Sequence, residues 1–256
     1  MNEFKFSKEG RMPNLNKPIA IEGLPGIANV GKIAVDYIVK NVKSKKFLSL
    51  TSDYFPSTVY IGEDSTIQKA GIEFHHAKIK KQDFIFITGN SQPTSEPYSY
   101  RFARAILEWL REHGCSSIIT TGGIGLIYLP EKPKVYCAGN DKKFIKEFEK
   151  FKVKTKVYGT VGSISGATGL LLSLADDYGI RSVSLLGETL AHPLHVGINS
   201  AKALVNLLNS KYNLGLKKEE IDKDFKETIQ EMDISDVQPK TKTDKAVPSG
   251  DVNYIG

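Results

Sequence analysis

The chain has 256 residues, 40% hydrophobic and 25% charged, with 22 Gly and 11 Pro, a composition that excludes collagen-like, coiled-coil and wholly disordered classes. Its 35 Lys/Arg against 29 Asp/Glu leave a formal charge of +6, with the excess ahead of residue 211, because residues 211–256 hold 8 Lys and 10 Asp/Glu. Two cysteines, Cys115 and Cys137, exclude a disulfide framework and a Cys-based zinc site, and no apolar run approaches the roughly 20 residues of a membrane helix.

The start, Met1-Asn2-Glu3-Phe4-Lys5-Phe6, mixes charge with aromatics and lacks a signal-peptide core, so the expected location is the cytoplasm. Residues 18–22 read as a buried strand, and residues 30–42 as a helix with Val30, Ile33, Ala34, Tyr37, Ile38 and Val42 on one stripe. Further strands are expected at 47–50, 58–61 and 71–79, the last two as a hairpin around residues 62–65, and another at 84–88. A helix over 98–112 turns Phe102, Ile106, Trp109 and Leu110 inward, with Gly114 as its stop signal. Strands follow at 117–121 and 135–138. Asp141 then caps a helix over 142–151.

The densest basic block, residues 142–156, carries Phe144, Phe148 and Phe151 at helical spacing. Its lysines read as the solvated face of a packed helix rather than a nucleic-acid patch. A helix at 167–177, a strand at 183–186 and a helix at 198–212 complete the alternation. Strands separated by helices of this length predict a three-layer α/β sandwich with a largely parallel or mixed sheet. The expected organisation is an N-terminal extension (1–16), the α/β domain (17–214), a charged C-terminal helix (215–235) and a flexible tail (236–256). Residues 238–249 offer almost nothing to bury, yet Tyr254 and Ile255 close the sequence beside Gly256. An apolar tip on a polar tether gains nothing unless it docks.

Gly26-Ile27-Ala28-Asn29-Val30-Gly31-Lys32 matches seven positions of a phosphate-binding P-loop. The eighth must be Ser or Thr to hold magnesium, and here it is Ile33. No Walker-B acid ends the strands at 84–88 or 117–121 either, so the glycines read as a tight strand-to-helix turn. Gly123-Ile124-Gly125 reads as half a dinucleotide fingerprint after a strand, with no helix behind it. His75 and His76 are adjacent in a strand and face opposite ways; His192 and His195 read as a loop pair. Neither pair makes a metal site. No nucleophile–base constellation assembles by spacing, so neither a catalytic residue nor a cofactor is assigned.

Five segments together resemble the proteasome assembly chaperone 2 (PAC2) family, particularly its archaeal type. They are Gly23-Leu24-Pro25-Gly26-Ile27-Ala28-Asn29-Val30-Gly31-Lys32, Gly89-Asn90-Ser91-Gln92-Pro93, Thr121-Gly122-Gly123, Ser165-Gly166-Ala167-Thr168-Gly169-Leu170-Leu171 and Leu186-Gly187-Glu188-Thr189. The resemblance implies a phosphorylase/hydrolase-like α/β fold without that class's active site. It also implies an ATP-independent chaperone or adaptor, not an enzyme, that binds 20S proteasome α subunits or the α ring and forms homo-oligomers. Some members of the family insert a C-terminal hydrophobic–Tyr–any-residue tail between α subunits, which here points to Tyr254, Ile255 and Gly256 as partner-binding residues. Tyr254 is third from the end rather than penultimate, so the pattern is shifted by one residue. The competing expectation is a small-ligand enzyme for a nucleoside- or nucleotide-like molecule. Its ligand would sit among glycine-rich loops at the sheet's carboxyl edge, with Gly26, Asn29, Asn90, Gln92, Gly123 and Glu188 as the groups offered.

Overall fold

The computed structural model describes residues 3–62, 64–157 and 162–235. Along them run β1 (Lys5–Lys8), β2 (Ile19–Gly23), α1 (Val30–Asn41), β3 (Lys45–Thr51), β4 (Val59–Ile61), β5 (Ile67–Lys69), β6 (Ile72–Ile79) and β7 (Gln82–Gly89). The chain continues with α2 (Glu96–Glu112), β8 (Ser117–Leu126), β9 (Val135–Gly139), α3 (Lys142–Glu149), α4 (Gly166–Leu174), β10 (Arg181–Leu190), α5 (Ile198–Tyr212) and α6 (Lys218–Ser235).

Eight strands form one sheet in the order β1-β3-β6-β7-β2-β8-β10-β9. Its centre, β7-β2-β8-β10, is parallel, and the flanking strands pair antiparallel. The sequence follows that division. In β7, Phe84, Ile85, Phe86 and Ile87 are all buried, as a strand covered on both faces requires. In β6, Ile72 and Phe74 are buried while Glu73 and His75, alternating with them, stay half-exposed, the alternation of a sheet with one wet face.

Two helical layers close the sandwich. Val30, Ala34 and Ile38 of α1, Phe144 and Phe148 of α3, Leu204 and Leu208 of α5, and Phe225 of α6 pack on one face against Ile21, Phe86 and Ile119. Phe102, Ile106 and Leu110 of α2 and Leu171 of α4 pack on the other, against Ala20, Ile85 and Ile118. Each buried Phe or Leu contributes about 1.5–3 kcal/mol. The three-layer α/β expectation holds. The basic block is a solvated helix face: Phe144 and Phe148 lie beneath it, and Lys211 Nζ sits 4.6 Å from the centre of the Phe148 ring. Asp141 caps α3 as expected, its Oδ1 accepting from the Phe144 amide at 2.7 Å.

The structure corrects several element assignments. The hairpin around residues 62–65 joins β4 to β5, which form a separate two-stranded ribbon; β6 instead pairs with β3 and β7. The helix expected at 142–151 ends at Glu149, and that expected at 167–177 is α4 followed by a 3-10 turn, Ala175–Tyr178. Residues 5–8, read as part of an N-terminal extension, add the edge strand β1. Phe4 packs 5.7 Å from Phe102 and Phe6 stacks 6.2 Å from Trp109. Among the described residues no helix is long and apolar enough to cross a membrane.

The largest correction concerns glycine. Strands β8 and β10 run through Gly123-Ile124-Gly125 and Gly187-Glu188-Thr189, pairing in register from Arg181↔Ser117 to Leu190↔Leu126. These stretches are strand, not loop. The glycines let other backbone come close: a Cβ on Gly123 would lie 2.7 Å from the Ile27 carbonyl oxygen, and one on Gly31 would collide with the Thr121 carbonyl.

Candidate functional site

The carboxyl ends of β2 and β8 open into a cavity of about 550 Å³. Gly26, Gln92 and Gly123 line it, together with Thr121, Ser165 and Thr168. Three of the six residues expected around a ligand are thus brought together, and three are not. Gln92 spends both ends of its amide on the fold: Nε2 donates to the Pro25 carbonyl at 2.7 Å, and Oε1 accepts from the Ala167 amide at 2.9 Å. It clamps the turn before α1 to the start of α4.

Asn90 lines a different cavity, shared with Lys32, Asp36 and Glu73. Its Oδ1 accepts from the Gly71 amide at 2.9 Å and its Nδ2 donates to the Lys69 carbonyl at 3.0 Å, so it too braces a loop. Glu188 is buried on β10, accepting from the Tyr136 hydroxyl at 2.9 Å and the Lys134 amide at 3.0 Å. Burial, and then the Glu188 bond, hold the Tyr136 hydroxyl above its ordinary pKa. Asn29 is exposed in the left-handed region at φ 52, directly after Ala28 at φ 49. Asparagine suits that conformation; Ala28 is held there by the Gly197 amide, which donates to its carbonyl at 2.8 Å.

The P-loop-like turn is built for packing rather than as a phosphate cradle. Gly31 lies buried against β8, and Lys32 Nζ pairs with Asp36 Oδ2 at 2.5 Å, on the side away from the glycine-lined cavity. His75 and His76 bond to different carboxylates, Glu73 at 3.0 Å and Asp83 at 2.8 Å. Among the described residues no group of three or more His, Cys, Asp or Glu can hold a metal ion. Burial pushes both thiols, Cys115 and Cys137, up to about 12, far from a reactive thiolate. Tyr254, Ile255 and Gly256 lie outside the described residues.

One buried acid escapes sequence reasoning. Glu22, at the carboxyl end of β2, is 0% exposed, and burial pushes its pKa up to about 8. Its Oε1 accepts from the Leu24 amide at 3.0 Å; its Oε2 has no hydrogen-bond partner among the described residues. Register places Glu22 beside Thr120, and Thr120 beside Ser184, on three adjacent strands. The Thr120 and Ser184 hydroxyls are also buried and unpartnered. Side chains in register share a face, so three orphan polar atoms stand in one row beneath α4, where Thr168 touches Glu22. Each unsatisfied group costs about 1–3 kcal/mol. The legible signal is an acid closing an apolar run in a strand that must be covered on both faces.

The same end of the molecule also carries apolar surface. Ile127 is 98% exposed and Leu194 85%, with Ile27, Tyr128 and Leu129 exposed nearby. The Ala191 amide bonds to the Leu126 carbonyl at 2.8 Å, which holds the β8–β9 connection beside the loop carrying Leu194. Apolar side chains grouped on a rim serve contact with another protein better than chemistry.

Residues 20–234 match the family model described as the PAC2 family. An uncharacterized protein of Methanocaldococcus jannaschii is 33% identical over 246 residues, covering 94% of this chain and 93% of the relative. Among solved structures, Pyrococcus furiosus PbaB, described as an archaeal proteasome activator, is 31% identical with a TM-score of 0.81, over 92% of this chain and 99% of that one. Pyrococcus furiosus PbaA, described as an archaeal homolog of proteasome-assembly chaperone, shares the fold at 24% identity and a TM-score of 0.74, over 91% of this chain and 93% of that one.

Proposed function

Because the chain belongs to the PAC2 family, we propose that it is an ATP-independent proteasome assembly chaperone or adaptor, not an enzyme, that binds 20S α subunits or the α ring. The observation that carries this reading is the likeness to PbaB at 31% identity over 92% of the chain. The exposed rim of Ile27, Ile127, Tyr128, Leu129 and Leu194 supports it, as a surface for protein contact. Tyr254, Ile255 and Gly256 form the second contact in this reading, delivered by the polar stretch before them. Self-association into a homo-oligomer belongs to the same reading, and several tails on one particle raise the local concentration of each toward the millimolar range. The small-ligand reading draws no support from Gln92, Asn90 or Glu188, whose polar atoms are already bonded within the fold.

The test is affinity capture with the full chain and with a chain lacking residues 238–256, offered purified archaeal 20S particles and isolated α subunits. The full chain is expected to retain α subunits or particles without nucleotide, and the shortened one to retain less. Retention of neither by the full chain, at low and moderate salt, overturns the proposal. Equal retention by both overturns the role of the tail and leaves the contact with the body.

A further inference from the structure

At the start of α5 lies a second, smaller cavity of about 260 Å³, between that helix, the end of β10 and α6. Its polar end is made by the first turn of α5, Gly197 to Ser200, and by Thr189. The N-cap is Gly197, which has no side chain to cap the turn, and no acidic residue stands in that turn. Ile198 and Ala201 donate to the carbonyls of Val196 and Gly197, each at 2.9 Å, leaving the Asn199 and Ser200 amides as the turn's free donors. Thr189 is 1% exposed, and its Oγ1 has no partner among the described residues. That hydroxyl faces the turn: a Cβ on Gly197 would lie 3.1 Å from it, whereas the Thr189 methyl faces Gly123. The other walls are mostly apolar, with Leu129, Pro130, Leu194, Val196 and Ile229 among them; His195 also lines the cavity, its pKa lowered by burial and then by His192, and among the described residues no Lys, Arg, Asp or Glu does.

An uncapped helix start attracts negative charge, and a buried hydroxyl without a partner adds a donor at the same place. A fully apolar ligand would leave that hydroxyl unsatisfied, and a compact inorganic anion would leave the walls bare. We propose that this cavity binds a carboxylate that carries an apolar body, held by the α5 amides and Thr189 at one end and by Leu129, Leu194 and Ile229 at the other. The volume admits one or two apolar residues at a peptide's carboxyl end, or a small free carboxylic acid. Leu129 and Leu194 are themselves largely exposed, so the site opens onto the apolar rim and a peptide can leave along it.

Isothermal titration calorimetry on the full chain separates the two sources. One arm uses 4-methylpentanoate and its primary amide; the other uses the hexapeptide Asp-Val-Asn-Tyr-Ile-Gly as free acid and as carboxyl-terminal amide. In at least one arm the acid is expected to bind about tenfold more tightly than the amide, and which arm does so identifies the source. Thr189→Val removes the hydroxyl at constant shape, and should weaken the acid several-fold. Asn199→Asp places a fixed charge in the α5 first turn, which favours folding yet should repel the ligand by about tenfold. Equal binding of acid and amide, no heat from any probe at 10 mM (roughly the limit of a useful site), or unchanged binding by the folded Asn199→Asp variant overturns the proposal.

Discussion

Among the described residues Glu22 has no cation against it. Strand β8 and helix α4, which face it, contain no ionisable residue, and the acids and bases of α2 lie on that helix's exposed side. Its proton therefore answers to burial first, with the Leu24 amide opposing, and the pKa moves from 4.5 to about 8. A group raised in the folded state binds its proton more tightly there than in the unfolded chain. Its contribution is complete below 4.5 and is lost as pH rises through about 8. The loss is at most on the order of 5 kcal/mol, in a domain whose total is about 5–15 kcal/mol. Urea denaturation at pH 5, 7 and 9 should show stability falling across this range. Glu22→Gln, neutral at every pH, should flatten that component; an equal fall in both proteins would place its origin elsewhere. Sequence reasoning marks 18–22 as a buried strand but gives its terminal acid no role, because an acid at a strand end normally reaches water. Nothing in the local pattern announces that α4, from some 145 residues later, covers it.

Elements whose apolar spacing is regular were legible in the sequence, some of their ends to the residue. Helix α5 spans Ile198–Tyr212, and α1 begins at Val30, both where the 3.6-residue stripe places them. Strands β8 and β10 were legible only in their apolar halves, since glycine is depleted in strands generally. Their glycine halves are strand because they are parallel partners, and because the turn before α1 presses against them. The approach of α1 to β8 gives a sharp expectation at Gly31. Glycine to alanine inside a helix normally gains roughly 1 kcal/mol. At Gly31 the new methyl meets the Thr121 backbone, which cannot swing aside as a flexible side chain would. Overpacking typically costs 1–3 kcal/mol, so the sign should reverse. Gly31→Ala is expected to lower the stability read from urea denaturation by about 1–2 kcal/mol, while Ala34 in the same helix already lies buried in the core. A stabilised Gly31→Ala would mean that α1 and β8 stand farther apart.

At the scale of the whole molecule, the sandwich buries its parallel centre twice over and leaves one end unsatisfied. That end gathers the orphan row at Glu22, the uncapped start of α5 and the apolar rim. Sequence pattern predicts the layers because periodicity is local; it does not predict the rim, because Ile127 and Leu194 follow strands that come side by side only when β8 and β10 pair. A side chain that is 98% exposed, as Ile127 is, contributes little to folding, and Tyr128 at 61% contributes not much more. The double variant Ile127→Ser, Tyr128→Ser should therefore keep its thermal midpoint, with any change within about 0.5 kcal/mol. Contact with another protein is a different matter, since an aromatic or aliphatic anchor at the centre of an interface is worth about 2 kcal/mol or more. Loss of both anchors should weaken capture of the 20S particle, or self-association, by at least roughly tenfold. The tail and the rim are separate surfaces in the proposed function, so combining this variant with deletion of residues 238–256 completes a cycle. If the two act as independent contacts on one particle, their effects on capture add to within about 0.5 kcal/mol. If the tail exerts its effect by lying along the rim, the double change weakens capture no further than one alone. A rim variant that captures as well as the parent would move the contact to another exposed apolar surface, such as the β4–β5 ribbon with Val59, Ile61 and Ile67.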